Sequence, residues 1–226
     1  MTEGLEGAHL VITGGDGALG QAVVRAFVAA GAICHLPIFG AVGDAQAGVH
    51  QTGGVDLTAE PAVEAYYAGL PPIAASVHLA GGFLAKPIAD TTRADLDRQL
   101  GLNLVTTFLC CREAIKAMRK SGGGRIVNVG ARVVEAPAGG MAAYSAAKAA
   151  VAALTRALAD EVRHERIQIN AVLPSIIDSP ANRAAMPNAK HDRWPQPADL
   201  ARHILWLASP DNRLTSGALI PVYGAA

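Results

Sequence analysis

The chain has 226 residues, 51 % of them hydrophobic, enough for one large domain or two small ones, and nothing in its middle reads as a linker. Its 19 basic and 19 acidic residues balance, and the absence of a basic run argues against nucleic acid or an anionic membrane as a partner. Three cysteines (Cys34, Cys110, Cys111) make no disulfide framework, no apolar run approaches membrane-spanning length and no signal-peptide pattern opens the chain, so a reducing, cytoplasmic setting is expected.

His9 to Ile12 is a short apolar run that ends in Thr13-Gly14-Gly15-Asp16-Gly17-Ala18-Leu19-Gly20. Leu19, Ala22, Val23, Ala26, Phe27 and Ala30 then recur at helical spacing until Gly31. The glycines therefore lie between a strand and a helix. There a dinucleotide pyrophosphate needs close backbone approach and helix N-terminal N–H groups facing the anion.

Ala32 to Ile38 is a second strand candidate, broken by Pro37. Gly40 to Gly54, rich in Gly and small residues without helical period, reads as loop. Val55-Asp56-Leu57 reads as a brief strand, Ala59 to Gly69 as a modest helix, and Ser76 to Ala80 as a fourth strand ending in Gly81-Gly82. Ala94 to Lys120 predicts one long helix, with Leu96, Leu100, Leu104, Phe108, Cys111, Ile115 and Met118 on one face and Asn103 beside that stripe. Arg125 to Val129 is a fifth strand. The Ala-rich stretch from Met141 predicts a helix to about Arg163, Ile167 to Leu173 a sixth strand closed by Pro174, Ala198 to Ala208 a helix, and Ala218 to Val222 a last strand. Strands alternating with helices predict a single α/β domain: a doubly wound, Rossmann-type parallel sheet of about seven strands with helices on both faces.

Within the Ala-rich helix, Tyr144 and Lys148 are four residues apart and share one face. An ammonium near a phenol favours phenolate and lowers the tyrosine pKa, which suits proton transfer near neutral pH. Alone, the pair is more often an ordinary half-buried aromatic and a solvated lysine. The seven histidines show no metal-ligand spacing and read as structural or surface residues.

Taken together, these stretches resemble the short-chain dehydrogenase/reductase family over essentially the whole chain. Thr13 to Gly20 looks like its cofactor loop, with Ala18 where a second glycine is usual. Asp56, followed by Leu57, matches its acidic residue beside the adenine, and Ala80-Gly81 the end of its Asn-Asn-Ala-Gly motif. Asn103, Tyr144 and Lys148 match three members of its catalytic tetrad. Pro174 to Ser179, with Ile176 and Ile177, matches its Pro-Gly-x-x-x-Thr, Ser175 and Ser179 being substitutes. The fourth member, a serine thirteen residues before the tyrosine, is Ala131 here, and Gly130 precedes it. That pair, Ala80-Gly81-Gly82, and the run through Pro180, Asn182-Arg183, Met186-Pro187 and Trp194 are similar to the dihydropteridine reductase branch.

The resemblance implies hydride transfer between NAD(P)(H) and a small-molecule substrate, quinonoid, pterin-like or carbonyl. Tyr144 would be the acid or base, Lys148 would hold the nicotinamide ribose and depress the tyrosine pKa, and Asn103 would position a water. The alternative is a catalytically degenerate cofactor-binding protein acting through interactions. Residues 175–197 read as a lid in which Asn182, Met186 and Trp194, together with Ala131, border the substrate; Trp194 could equally pack the lid on the core. Near Ile38 and Phe39, where relatives carry the residue that selects the cofactor, there is neither acid nor base. Residues 1–85 hold one basic residue, Arg25, against Glu3, Glu6, Asp16, Asp44, Asp56, Glu60 and Glu64, so NADH is expected over NADPH. A homodimer or homotetramer is expected through the two long helices, with Ala147, Ala150 and Ala153 facing outward.

Overall fold

The computed structural model describes residues 4–225, so Glu3, counted among the acids above, lies outside the described residues. Seven parallel strands form one sheet in the order β3-β2-β1-β4-β5-β6-β7. They are β1 (His9–Thr13), β2 (Ile33–Pro37), β3 (Val49–Thr52), β4 (Ala75–His78), β5 (Gly124–Val129), β6 (Ile167–Pro174) and β7 (Leu219–Val222). Helices cover both faces, as a parallel sheet requires. α1 (Ala18–Ala29) and α7 (Pro197–Ala208) bury Val23, Phe27, Ile204 and Leu207 against Leu10, Ile12, Cys34 and Leu36. On the other face α2 (Glu60–Ala68), α4 (Thr106–Ser121) and α5 (Ala142–Glu161) bury Val63, Ile115, Met118 and Ala159 against Val11, Ile126 and Ile169. Among the described residues no helix is long and apolar enough to cross a membrane.

Two elements differ from the sequence reading. The third strand is Val49–Thr52, inside the stretch read as loop, and Val55 to Leu57 is not a strand. β3 is an edge strand paired only with β2, so its Val-His-Gln-Thr alternates half-buried and exposed and carries no apolar run. Pro37 ends β2 rather than breaking it: the pairing with β1 stops at His35, so no ladder bond there needs its missing N–H.

The long helix is also interrupted. α3 (Arg93–Leu100), capped by the Thr92–Asp95 box, passes through a π turn at Gly101–Val105 before α4 begins. The Thr106 and Thr107 hydroxyls donate to the carbonyls of Leu102 and Asn103 at 2.8 and 2.7 Å, satisfying acceptors inside the widened turn. The extra residue in this turn carries Asn103 into the interior, where it is 1 % exposed. A short helix, α6 (Pro180–Ala185), lies in the segment read as a lid.

Candidate active site

The strand order reverses between β1 and β4, and the crevice beyond their carboxyl ends is where doubly wound sheets bind ligands. The glycine turn leaves β1 there. Gly14 has φ +64°, and a Cβ on it would sit 2.8 Å from the Ala80 nitrogen; on Gly20 a Cβ would sit 2.0 Å from the Gly14 oxygen. Only glycine allows this turn to fold onto both β4 and the start of α1. The Thr13 hydroxyl accepts from the N–H groups of Leu79 and Ala80, each at 3.1 Å, locking the two loops together. Gly17 caps α1 without a side-chain bond, and Asp16, Gly17 and Ala18 are exposed, so first-turn N–H groups face the crevice. Ala18, in place of a glycine, fits because its methyl points to solvent. Gly15 lies against Leu36, and Leu19 is half-buried at the start of α1.

Asn103, Lys148 and Gly81, far apart in sequence, meet at the carboxyl ends of β4 and β5. A Cβ on Gly81 would lie 2.7 Å from Asn103 Oδ1 and 3.6 Å from Lys148 Nζ. Asn103 donates to the oxygens of Gly82 and Gln99 at 3.0 Å and accepts from Gly82 N at 3.3 Å, so its amide fixes the loop after β4. Lys148 is 7 % exposed and donates to the Val129 carbonyl at 2.8 Å. Its Nζ stands 6.0 Å from the centre of the Tyr144 ring, which packs edge-on against Phe83 at 5.1 Å. The lysine is thus a buried cation, not a solvated one; burial pushes it down to about 8.

The tyrosine departs from expectation. Burial raises Tyr144 to about 12, whereas the neighbouring ammonium was expected to lower it. Desolvation of the phenolate outweighs a charge whose nearest bond is made to Val129 instead.

Ala131 is buried two residues past β5 in extended backbone and offers no hydroxyl, and a Cβ on Gly130 would meet Leu173 at 2.4 Å, so that position has no room for a serine either. On the adenosine side, Val55 N donates to Ile38 O at 2.9 Å, which places Asp56 and Leu57 beside the end of β2. The Asp56 carboxylate is taken up by the N–H and hydroxyl of Thr58 at 2.8 and 2.7 Å. Phe39 is exposed and Arg25 lies on the solvent side of α1. The local acidic excess is smaller in space than in sequence, because Arg112 of α4 pairs with Glu60 and with Glu64.

The segment after Pro174 is held by its own polar contacts. Ser175 donates to the Tyr223 carbonyl at 2.6 Å, and Ser179 caps α6 by accepting from Asn182 N. The Asn182 amide donates to Ile177 O at 2.8 Å, so this side chain braces the loop. Arg183 grips Asp178 with two bonds of 2.5 and 2.7 Å, and Gln196 adds a third at 2.7 Å; these hold the Asp178 carboxyl well below the usual range. Ile176 is exposed and Met186 half-buried. Trp194 is 6 % exposed and packs on His191 at 4.6 Å, which leaves the indole anchoring the segment. Ala147 likewise faces the core, at 0 % exposure, whereas Ala153 is exposed.

A buried polar chain behind the site was missed. Tyr67 OH meets Ser76 Oγ at 2.9 Å, Ser76 meets His78 Nε2 at 2.8 Å, and His78 Nδ1 meets Asn128 Oδ1 at 2.8 Å. Asn128 then donates to Thr155 Oγ1, which donates to Val151 O. Because Asn128 Oδ1 can only accept, His78 carries its proton on Nδ1 and accepts from Ser76. Burial pushes His78 down to about 4 and keeps it neutral. The chain ties α2, β4 and β5 to the helix carrying Tyr144 and Lys148. Polar residues inside apolar strand runs, Ser-Val-His and Ile-Val-Asn-Val, were the available signal.

A family model described as short chain dehydrogenase matches residues 8–190. The chain belongs to the short-chain dehydrogenase/reductase family. As a member it is an NAD(P)-dependent oxidoreductase. It is 32 % identical to galactitol 2-dehydrogenase of Rhizobium johnstonii, over 96 % of this chain and 94 % of that protein. It is 28 % identical to carbonyl reductase [NADPH] 2 of Sus scrofa, over 97 % and 96 %. Among solved structures, a putative gluconate dehydrogenase from Agrobacterium tumefaciens superposes with a TM-score of 0.88 at 26 % identity, covering 100 % of this chain and 97 % of that one.

Proposed function

We propose that this dehydrogenase/reductase transfers hydride between NAD(H) and a small molecule whose reducible group needs no serine hydroxyl, with Tyr144 donating the proton in reduction. The observation that carries this reading is the convergence of Asn103, Lys148 and Gly81 beside the tyrosine, one loop from the glycine turn. A bound nicotinamide dinucleotide supplies or accepts the hydride. The tight Gly14–Gly20 turn, whose path a Cβ on Gly14 or Gly20 would block, and the open first turn of α1 fit its pyrophosphate. Lys148 would hold the nicotinamide ribose hydroxyls. At pH 7 it is charged, and its ammonium lowers the cost of phenolate as the proton leaves Tyr144. With its phenol near 12, Tyr144 carries its proton at neutral pH, the state a donor requires. Asn103 keeps the loop after β4, and with it Gly81, in place against the lysine.

Ala131 supports the substrate class. Losing one preorganised hydrogen-bond donor costs a carbonyl reaction on the order of a hundred- to a thousandfold. A quinonoid or pterin-like ring, already electron-poor at its nitrogens, is the substrate that tolerates the loss, in keeping with the dihydropteridine reductase-like motifs. The names of the relatives favour an alcohol or carbonyl instead. Steady-state NADH oxidation on quinonoid dihydropterin, quinones and small ketones separates these, with turnover expected on the first two. A wild type inert throughout would support the second reading, a cofactor-binding protein without catalysis, which Ala131 itself favours.

NADH is favoured over NADPH because no cation stands at Ile38 and Phe39 and Arg25 is the one basic residue before position 86. Tighter NADPH binding in a fluorescence titration would contradict this. The exposed Ala149 and Ala153 of α5, together with the exposed Val105 of the π turn and Phe108 of α4, support a homodimer or homotetramer, which a monomeric mass in light scattering would refute. Three buried, unbridged cysteines support a reducing, cytoplasmic setting.

A further inference from the structure

The end of the sheet opposite the glycine turn holds a second concentration of charge that hydride transfer does not use. β5 and β6 begin there. Three loops meet around their first residues: the glycines after α4, the turn that ends at Arg166, and the segment after α7. They border an open cleft of about 520 Å³ lined by Arg125, Arg166, Arg213 and Gln168, with Gly122, Gly123 and Pro210 completing the lining. That volume falls within the range of roughly 300–1,000 Å³ common for small-molecule sites.

No carboxylate lines the cleft among the described residues. Glu165, next to Arg166 in sequence, gives its carboxylate to Arg119 through bonds of 2.6 and 2.8 Å. Arg125 is held in place: it donates from Nε to Asn212 O at 2.7 Å and from Nη1 to Gly124 O at 3.0 Å. These bonds orient its fork and leave other N–H groups for a ligand. Burial, and then the charge of Arg166, push this guanidinium below its usual value, the signature of a cation lacking an anion.

Arg166 has φ +58°, the one described non-glycine residue in the left-handed region, and its carbonyl accepts from Gly124 N at 3.2 Å. A Cβ on Gly123 would come within 2.7 Å of that carbonyl. The turn is thus pressed onto the glycine loop, and Arg166 is kept at the cleft at the expense of backbone strain. Gln168 Oε1 is buried there with no partner. A hydroxyl on a ligand, or the amide turned to offer its NH₂ to an anion, would satisfy it.

Three like charges gathered without an acid repel one another, and an anion relieves both the repulsion and the desolvation. Guanidinium forks match the oxygens of phosphate from several directions at once. We propose that this cleft binds a phosphate-bearing small molecule, of the pyrophosphate or nucleoside-phosphate class, at a site separate from the dinucleotide crevice.

The test is isothermal titration of the full chain with inorganic pyrophosphate at low salt, in the presence of saturating NADH so that the crevice is filled. One site is expected, and pyrophosphate should not displace NADH. Arg166→Gly suits the left-handed backbone, so the fold should be retained. Combined with Arg213→Gln, it should weaken pyrophosphate binding at least about tenfold, as expected for lost charge-assisted bonds, with NADH affinity unchanged. A parallel titration with ADP tells a nucleoside phosphate from the free anion, either result keeping the site. Absence of binding to the wild type, equal binding by the double variant, or citrate binding as tightly as pyrophosphate would overturn the proposal.

Discussion

Replacing Lys148 with methionine should stabilise the protein while destroying its activity. The side chain is 7 % exposed, and burial lowers it from its ordinary 10.5 to about 8. At roughly 1.4 kcal/mol per decade, that difference means the buried ammonium costs about 3 kcal/mol at pH 7. Against this stands the bond to Val129 O at 2.8 Å, whose loss costs about 1 kcal/mol. Methionine fills a similar volume without a charge, so Lys148→Met should gain about 2 kcal/mol, or roughly 4–8 °C in Tm for a chain of this size. The sign with pH is fixed. The folded-state value lies below the unfolded one, so the unfolded chain binds the extra proton between about 8 and 10.5, and wild-type stability from this group rises across that window. The variant's advantage should be full below pH 8, reach zero at about pH 9.5 and reverse by about 1 kcal/mol above about pH 10.5, where only the lost Val129 bond remains. Urea unfolding of both proteins at pH 7 and pH 10 measures it. A variant less stable than wild type at pH 7, or a difference that does not change with pH, would refute the reasoning.

Other expectations are more local. Gly81→Ala places a methyl 2.7 Å from Asn103 Oδ1, and should lower kcat/KM roughly 10- to 100-fold by moving the amide and the loop it holds; an unchanged kcat/KM would show that the loop position does not matter. His78 is neutral and buried, with a value near 4 against an ordinary 6.5. The unfolded chain therefore binds the extra proton between these values, and stability should fall by up to about 3 kcal/mol as pH drops from 6.5 to 4. His78→Gln, compared with wild type by urea unfolding at pH 7 and 4.5, should flatten that loss. Ala131→Ser should leave quinonoid reduction unchanged, and a large gain on small ketones instead, read in steady-state kinetics, would mark a carbonyl reductase that has lost its donor.

The glycine turn was legible because its neighbours are unambiguous: an apolar run before it and a 3.6-residue period after it. Tyr144, Lys148 and Asn103 were legible by type and order, and their meeting by the fold they imply. The π turn was not, because one extra residue barely disturbs a helical apolar stripe, although Gly101 sits where the turn opens. β3 escaped because an edge strand needs few apolar residues, and Val55, buried in the following loop, imitated one. Trp194 shows the limit of composition, since an indole in a proline-rich segment suits a ligand wall and a core anchor equally. The tyrosine's direction of shift depended on desolvation, which spacing along a helix does not report. The arginine cleft was invisible because Arg125, Arg166 and Arg213 come from three separate loops.

The central claim is that Tyr144 moves the proton at a site assembled by Asn103, Gly81 and Lys148. Its most direct test is a pair of measurements on wild type and Tyr144→Phe: NADH affinity by fluorescence titration, and NADH oxidation with whichever substrate of the panel the wild type reduces. The account predicts NADH affinity unchanged within about threefold and turnover lower by a factor on the order of 10² to 10⁴, the range for a lost general acid. A phenylalanine variant that turns over at near wild-type rate would contradict it.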